Sequence, residues 1–167
     1  SEYLKSQRVD MLPKTILEYL TYLNSAYFVR RIRPMDIQGK KQFQIGEKYY
    51  FEDLGIRNAI RPFRATDIGQ VLENVVCHHL LVCGYALYIG RDGDKEVDFV
   101  AERNGEKLYV QVAYSVIDPK THEREFGNLL AIQDNYPKIV VTMDEVEGVS
   151  YQGIEQVPVR KFLLRWK

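Results

Sequence analysis

The chain has 167 residues, which is room for one ordinary domain or a small domain with a subdomain. Hydrophobic residues make up 46% and charged residues 28%, so it can bury a core and does not read as disordered. No apolar run approaches the length needed to span a bilayer, so no membrane association is expected, and no signal-peptide pattern opens the chain. Two cysteines, Cys77 and Cys83, make neither a disulfide framework nor a zinc site; they read as buried thiols of a cytoplasmic protein. The chain does not open on Met, as expected of a piece of a longer protein.

Charge is distributed unevenly. Residues 1–64 hold 12 Lys and Arg against 7 Asp and Glu; residues 65–167 hold 11 against 16. Equal and opposite imbalances argue against a uniformly basic nucleic-acid binder. They permit a phosphate-facing N-terminal part.

In chain order, Ile16, Leu17, Leu20 and Leu23 recur at helical spacing over 14–26, behind Pro13. Phe28, Val29 and Ile32 begin a strand, Gln38-Gly39-Lys40-Lys41 makes a turn, and a second strand follows through Tyr49-Tyr50. Helix, strand, basic turn and strand make the C-terminal half of a winged helix. Residues 1–60 are therefore expected to be a partial winged-helix segment, with Asp53–Asn58 as a linker. Arg30, Arg31, Arg33, Lys40 and Lys41 are its candidate contacts to a nucleic-acid backbone.

The second unit, 61–167, opens with a helix from Thr66 or Asp67 to Gly84. Its apolar positions cover a wide face. Strands are expected at 85–90, 96–103 and 107–115, the last two joined by Asn104-Gly105, a strong hairpin signal. A helix over 118–133 and a short apolar strand at 137–144 follow, then a short amphipathic end around Phe162. The order αβββαβ resembles the core of the restriction-endonuclease-like fold, the PD-(D/E)xK nucleases. The expected fold class is thus α/β.

That likeness implies a site. Such nucleases hold a divalent metal between carboxylates and aim a Lys at the phosphate. They take a Glu from the first helix, an Asp from the second strand and a (D/E)xK triplet from the third. Glu73 and Asp98 stand at the first two places. A lone helical Glu is usually a surface carboxylate, but Asp98 lies between Val97 and Phe99, where an acid is costly without a partner. Alternation puts Glu96 and Asp98 on one strand face and Val97 and Phe99 on the other. The third place reads Gln111-Val112-Ala113. Gln111 coordinates without charge and Ala113 cannot replace a Lys; Lys95 and Lys107 sit at strand ends. Glu73, Asp98 and Gln111 are therefore candidate catalytic and metal residues of a degenerate site, holding Mg weakly if at all. His78-His79 point about 100° apart on a helix and do not chelate. No P-loop signature occurs, so ATP is no ligand of these residues.

Several stretches in order, KYYFEDLGIRNAI (48–60), GQVLENVVCHHLL (69–81), KEVDFVAERNGEKLYVQVAYSV (95–116), EREFGNLLAIQDNYPKIVVTMD (123–144) and GIEQVPVRKFL (153–163), resemble one family over nearly the whole chain. It is the C-terminal region, catalogued as a domain of unknown function, of bacterial and archaeal AAA-type P-loop ATPases. The resemblance implies an ATPase core upstream that binds ATP and partners this piece, then a winged-helix segment and a nuclease-like domain. With Gln111-Val112-Ala113 where the family often carries Glu-Val-Lys, a non-catalytic binding or regulatory module of that ATPase is the first expectation, and a DNA-binding module working through the basic hairpin is another. A metal-dependent DNA endonuclease is the alternative. With the earlier winged-helix helices absent, the stripe on the 14–26 helix needs another cover, and a symmetric homodimer is the favoured one.

Overall fold

A computed structural model describes residues 12–39, 46–146 and 148–165. Helix α1 (Pro13–Ser25) is followed by β1 (Val29–Asp36), β2 (Lys48–Phe51), α2 (Leu54–Ile60) and α3 (Ile68–Val82). Then come β3 (Ala86–Asp92), β4 (Lys95–Arg103), β5 (Glu106–Val112), α4 (Pro119–Leu130), β6 (Lys138–Thr142), β7 (Ser150–Tyr151), β8 (Ile154–Pro158) and α5 (Val159–Arg165). The fold is mixed α/β. One eight-stranded sheet runs in the order β2-β1-β3-β4-β5-β6-β8-β7, with parallel pairs β1/β3, β5/β6 and β6/β8. No helix among the described residues is long and apolar enough to cross a membrane.

Two apolar layers sandwich this sheet. On one side Val76, Cys77 and Leu80 of α3 and Phe162 of α5 pack on Ile89, Phe99, Val110 and Val141. On the other, Phe126 and Leu129 of α4 pack on Val97, Val100, Tyr109 and Val140. Strand β6, buried on both faces, reads as the continuous apolar run expected of it. The Asn104-Gly105 turn has positive φ at both residues (55° and 83°), and Arg103 pairs with Glu106 across it.

Three local features differ from the expectation. The stretch after Asp53 is a helix, not a linker: Asp53 caps α2 by accepting the Ile56 N–H at 2.9 Å. Asp67 does not cap α3. It is buried and binds the buried Arg57 at 3.0 Å, which fastens α2 to the start of α3. The Arg57 hydrogen bond and the Arg61 charge hold the Asp67 carboxyl below the usual range. The β1–β2 hairpin is continuous with the main sheet, because Arg33–Asp36 pair with Tyr88–Arg91. Ile32 and Tyr50 belong to the α3-side core.

The third strand pair carries a β-bulge. Tyr88 pairs with Val100 and Gly90 with Val97, so Asp98 and Phe99 together oppose Ile89. Simple alternation therefore fails: Val97 goes to the α4 side and Phe99 to the α3 side. Gly90 makes room for this kink. A Cβ there would stand 2.9 Å from Ile37 Cδ1 and Val100 Cγ2, and 3.1 Å from Val97 Cβ. Gly90→Ala is expected to lower the unfolding free energy by about 1–3 kcal/mol in urea titrations, as overpacking does. A neutral result would show that the bulge tolerates a filled position.

Candidate functional site

Helix α3 is apolar on the face toward the sheet, but Glu73, Asn74 and His78 turn toward the hairpin. Asn74, buried, makes two 2.9 Å bonds with Phe51: its Oδ1 accepts the N–H and its Nδ2 donates to the carbonyl. An amide side chain thus serves the Phe51 main chain where, among the described residues, β2 is the sheet edge. His78 Nε2 lies 2.7 Å from the same carbonyl. These contacts fix the register in which β2 lies against α3. Alternation then sends Lys48 and Tyr50 to one face.

Both meet Glu73. The Tyr50 hydroxyl donates to Glu73 Oε1 at 2.5 Å. Lys48 Nζ lies 2.7 Å from Glu73 Oε1, 2.8 Å from Glu96 Oε1 and 3.2 Å from Asp98 Oδ1. Arg91 takes the other Glu96 oxygen at 2.6 Å. Burial acts to lower the Lys48 pKa, but the Asp98 and Glu73 charges outweigh it and the ammonium is held above its usual value. Burial, with the Glu73 charge next, raises the Tyr50 phenol.

Asp98 is placed by the bulge. The β4–β5 ladder ends at the Phe99–Val110 pair, and side chains finish it. Asp98 Oδ2 accepts the Val112 N–H at 2.9 Å, and Gln111 Oε1 accepts the Asp98 N–H at 3.3 Å. The Gln111 amide donates to Glu125 Oε2 at 2.7 Å, on the α4 side. Arg124 holds the other Glu125 oxygen, with Nε at 3.0 Å. Ala113 is buried in the α4-side core beside Val116 and Phe126. These groups line a polar cleft of about 620 Å³ between α3, the C-terminal end of β5 and α4.

Of the residues expected from sequence, Glu73 and Asp98 meet through Lys48. Gln111 lines the same cleft and touches the Asp98 main chain, but its side chain is engaged with Glu125. Arg30 pairs with Glu52 at 2.8 Å and Arg31 approaches Glu47 at 3.8 Å. Arg33 is exposed, and Lys40 and Lys41 lie outside the described residues. His79 packs edge-on against Phe162. Lys107 pairs with Glu102 at 3.2 Å, away from the cluster. Sequence reasoning missed Lys48, Glu125 and Asn74. The one available signal was the shared parity of Lys48 with the apolar-facing Tyr50.

The donors do not fit a divalent ion as they stand. Glu73 Oε1 serves Lys48 and Tyr50, and the two Glu96 oxygens serve Lys48 and Arg91. Those of Asp98 serve Lys48 and the Val112 N–H, and Gln111 Oε1 serves the Asp98 N–H. Among the described residues no group of three or more His, Cys, Asp or Glu is arranged to hold a metal.

Comparison with known proteins identifies the relationship. Residues 68–162 match the model of a domain of unknown function, DUF4143. The chain belongs to the DUF4143 family. It is also 37% identical over 165 residues to a protein of Haemophilus influenzae described as uncharacterized. That match takes in 99% of this chain and 40% of the relative, so the chain spans about two fifths of the relative's length. No solved structure matches.

Asp98 gives the DUF4143 site a pH dependence. Burial, then the Glu73 charge, push its carboxyl up to about 7 against the opposing pull of Lys48. The folded pKa lies above the unfolded one, so the stability it contributes is full below about pH 4. That contribution is lost as pH rises through about 7. Wild type should therefore lose stability relative to Asp98→Asn between pH 5 and 8.5, by on the order of a few kcal/mol. Thermal melts of both at the two pH values check the sign. A gap between them that does not change with pH would show that Asp98 is ionised throughout.

Proposed function

We propose that this DUF4143 chain is the C-terminal binding or regulatory module of a P-loop AAA-type ATPase, and that it is not itself catalytic. On this reading α3 through β8 form a restriction-endonuclease-like domain with a degenerate nuclease site. The α1–β2 segment is the remainder of a winged helix, laid onto the sheet edge. ATP belongs to the ATPase core, which is also the first partner. The cytoplasm is the expected compartment.

One observation carries the proposal. The centre of the carboxylate cluster, where a nuclease needs an open cation position, is filled by the Lys48 ammonium. Gln111 and Ala113 add to it: both line the cleft, the first is neutral and the second brings no cation to it.

The alternative, a metal-dependent DNA endonuclease, has its own supporting observation. Lys48 touches both Glu73 and Asp98, and so supplies from β2 the lysine absent at position 113. Incubation of the purified chain with supercoiled plasmid and single-stranded DNA, in Mg²⁺ or Mn²⁺, separates the two. No cleavage is expected. Metal-dependent cutting that disappears in Asp98→Ala would reject the non-catalytic reading and establish the endonuclease.

DNA association, if the hairpin retains it, is expected to be weak, sequence-tolerant and salt-sensitive. Arg30 and Arg31 must exchange their carboxylate partners for phosphates.

Helix α1 has no buried residue; of its apolar stripe, Leu17 and Leu23 are 57% and 37% exposed and Ile16 and Leu20 half-buried. We read this face as the contact of a symmetric homodimer. Sedimentation equilibrium should show dimers that Leu17→Glu dissociates. A strict monomer at high concentration would reject this.

A further inference from the structure

We propose that Lys48 is a built-in cation: its ammonium takes the position of the divalent metal that the nuclease-like pattern implies, and keeps such a metal out. An ammonium has three N–H donors and no acceptor. Here three carboxylates, from Glu73 on α3 and from Glu96 and Asp98 on β4, lie at 2.7, 2.8 and 3.2 Å from it. All three donors are matched, and the fourth bond of the nitrogen is its own side chain. The separations suit N–H···O bonds and exceed the 2.0–2.6 Å that Mg²⁺ or Ca²⁺ demands of oxygen.

The competition favours the lysine because it is tethered. Asn74 and His78 hold the Phe51 main chain, Tyr50 shares the Glu73 oxygen, and Lys48 lies three residues from Phe51 on the same short strand. A cation so positioned pays no association entropy, while a free metal does. A metal would also have to displace Arg91 from Glu96 or the Val112 N–H from Asp98 to gain further oxygens. Without the ammonium, three carboxylates surround a gap with no positive charge inside it. As placed they are not arranged to hold a metal, and they would have to close in on one from their present 2.7–3.2 Å spacing about the ammonium.

This inference rests on the degenerate-site reading, but its readout is separate. Cleavage assays report on catalysis; cation binding reports on Lys48. EDTA-treated wild type, titrated with MnCl₂ by calorimetry and thermal shift, should show no saturable binding. Lys48→Met should melt lower in EDTA, recover on Mn²⁺ addition and bind it at least about tenfold more tightly than wild type, since a unit charge at hydrogen-bond distance has been removed. Adding Asp98→Asn to that variant should abolish the gain. Lys48→Gln, which keeps a polar group of similar reach, is the second variant, and circular dichroism checks the fold of each. Saturable Mn²⁺ binding by wild type that Asp98→Asn removes would overturn the inference. So would a folded Lys48→Met or Lys48→Gln that gains no affinity. If both variants are unfolded, failure of Mn²⁺ to refold them overturns it equally, because a metal able to occupy that position must restore the contacts.

Discussion

An ammonium shared among three carboxylates sets the terms for everything around the cleft. Glu73, Glu96 and Asp98 could not lie so close without positive charge between them, since each desolvated anion raises the cost of the next. Lys48 lowers that cost without cancelling it. With Arg91 also engaged at Glu96, two cations face three anions, and Asp98 is pushed toward neutrality by burial and by Glu73. Such an ion cluster is weak evidence for stability, because desolvation offsets most of the attraction. Its consequence is geometric: the end of β2 cannot move away from α3 and β4 without stranding buried charge.

The same constraint explains why α3 carries polar residues on a core helix. Asn74 is buried and Glu73 partly buried, and both would be costly there without partners. The hairpin supplies those partners from its main chain at Phe51 and its side chains at Lys48 and Tyr50. In return Phe51, at the edge of β2, has its N–H and carbonyl satisfied by an amide, which blunts the open strand at that residue. The hairpin and the helix complete each other. The parallel pairing of β1 with β3 extends that partnership to the whole sheet.

Much of the fold was legible because its signals are local. The Asn104-Gly105 turn, the apolar run of β6 and the wide apolar face of α3 need only neighbours in sequence. Glu73 and Asp98 stood out as acids in apolar surroundings. What escaped was non-local. Nothing near Lys48 in sequence says that β2 lies beside α3, whereas Lys95 and Lys107 stand at the ends of the strands that carry Asp98 and Gln111. The bulge was hidden because alternation assumes a regular ladder; Phe99 crosses to the α3 side only because Asp98 leaves the ladder. Glu125 stands among charged residues in sequence, with nothing local to mark it, yet it is buried against Gln111. Helix α2 was too short for periodicity to show, and its stability comes from a cap and from an Arg57–Asp67 pair ten residues apart.

Gln111 shows that the departure from the nuclease pattern is matched elsewhere in the fold. Its amide donates to Glu125 while its oxygen accepts the Asp98 N–H. A carboxylate at 111 could still accept that N–H. Its other oxygen, however, would then face Glu125 Oε2 at a distance now spanned by a 2.7 Å hydrogen bond. Two buried carboxylates so close cannot both be ionised without a cation between them. A Glu or Asp at 111 would thus require either a bound metal or a proton, whereas Gln requires neither. Lys48 removes the need for a cation among Glu73, Glu96 and Asp98, and Gln111 removes it between Asp98 and Glu125. Ala113, packed beside Val116 and Phe126, adds no charge to the α4 side, where Glu125 is held by Arg124. On both faces of the sheet the cleft's carboxylates thus have partners within the chain, Lys48 and Arg91 on one side and Arg124 and Gln111 on the other.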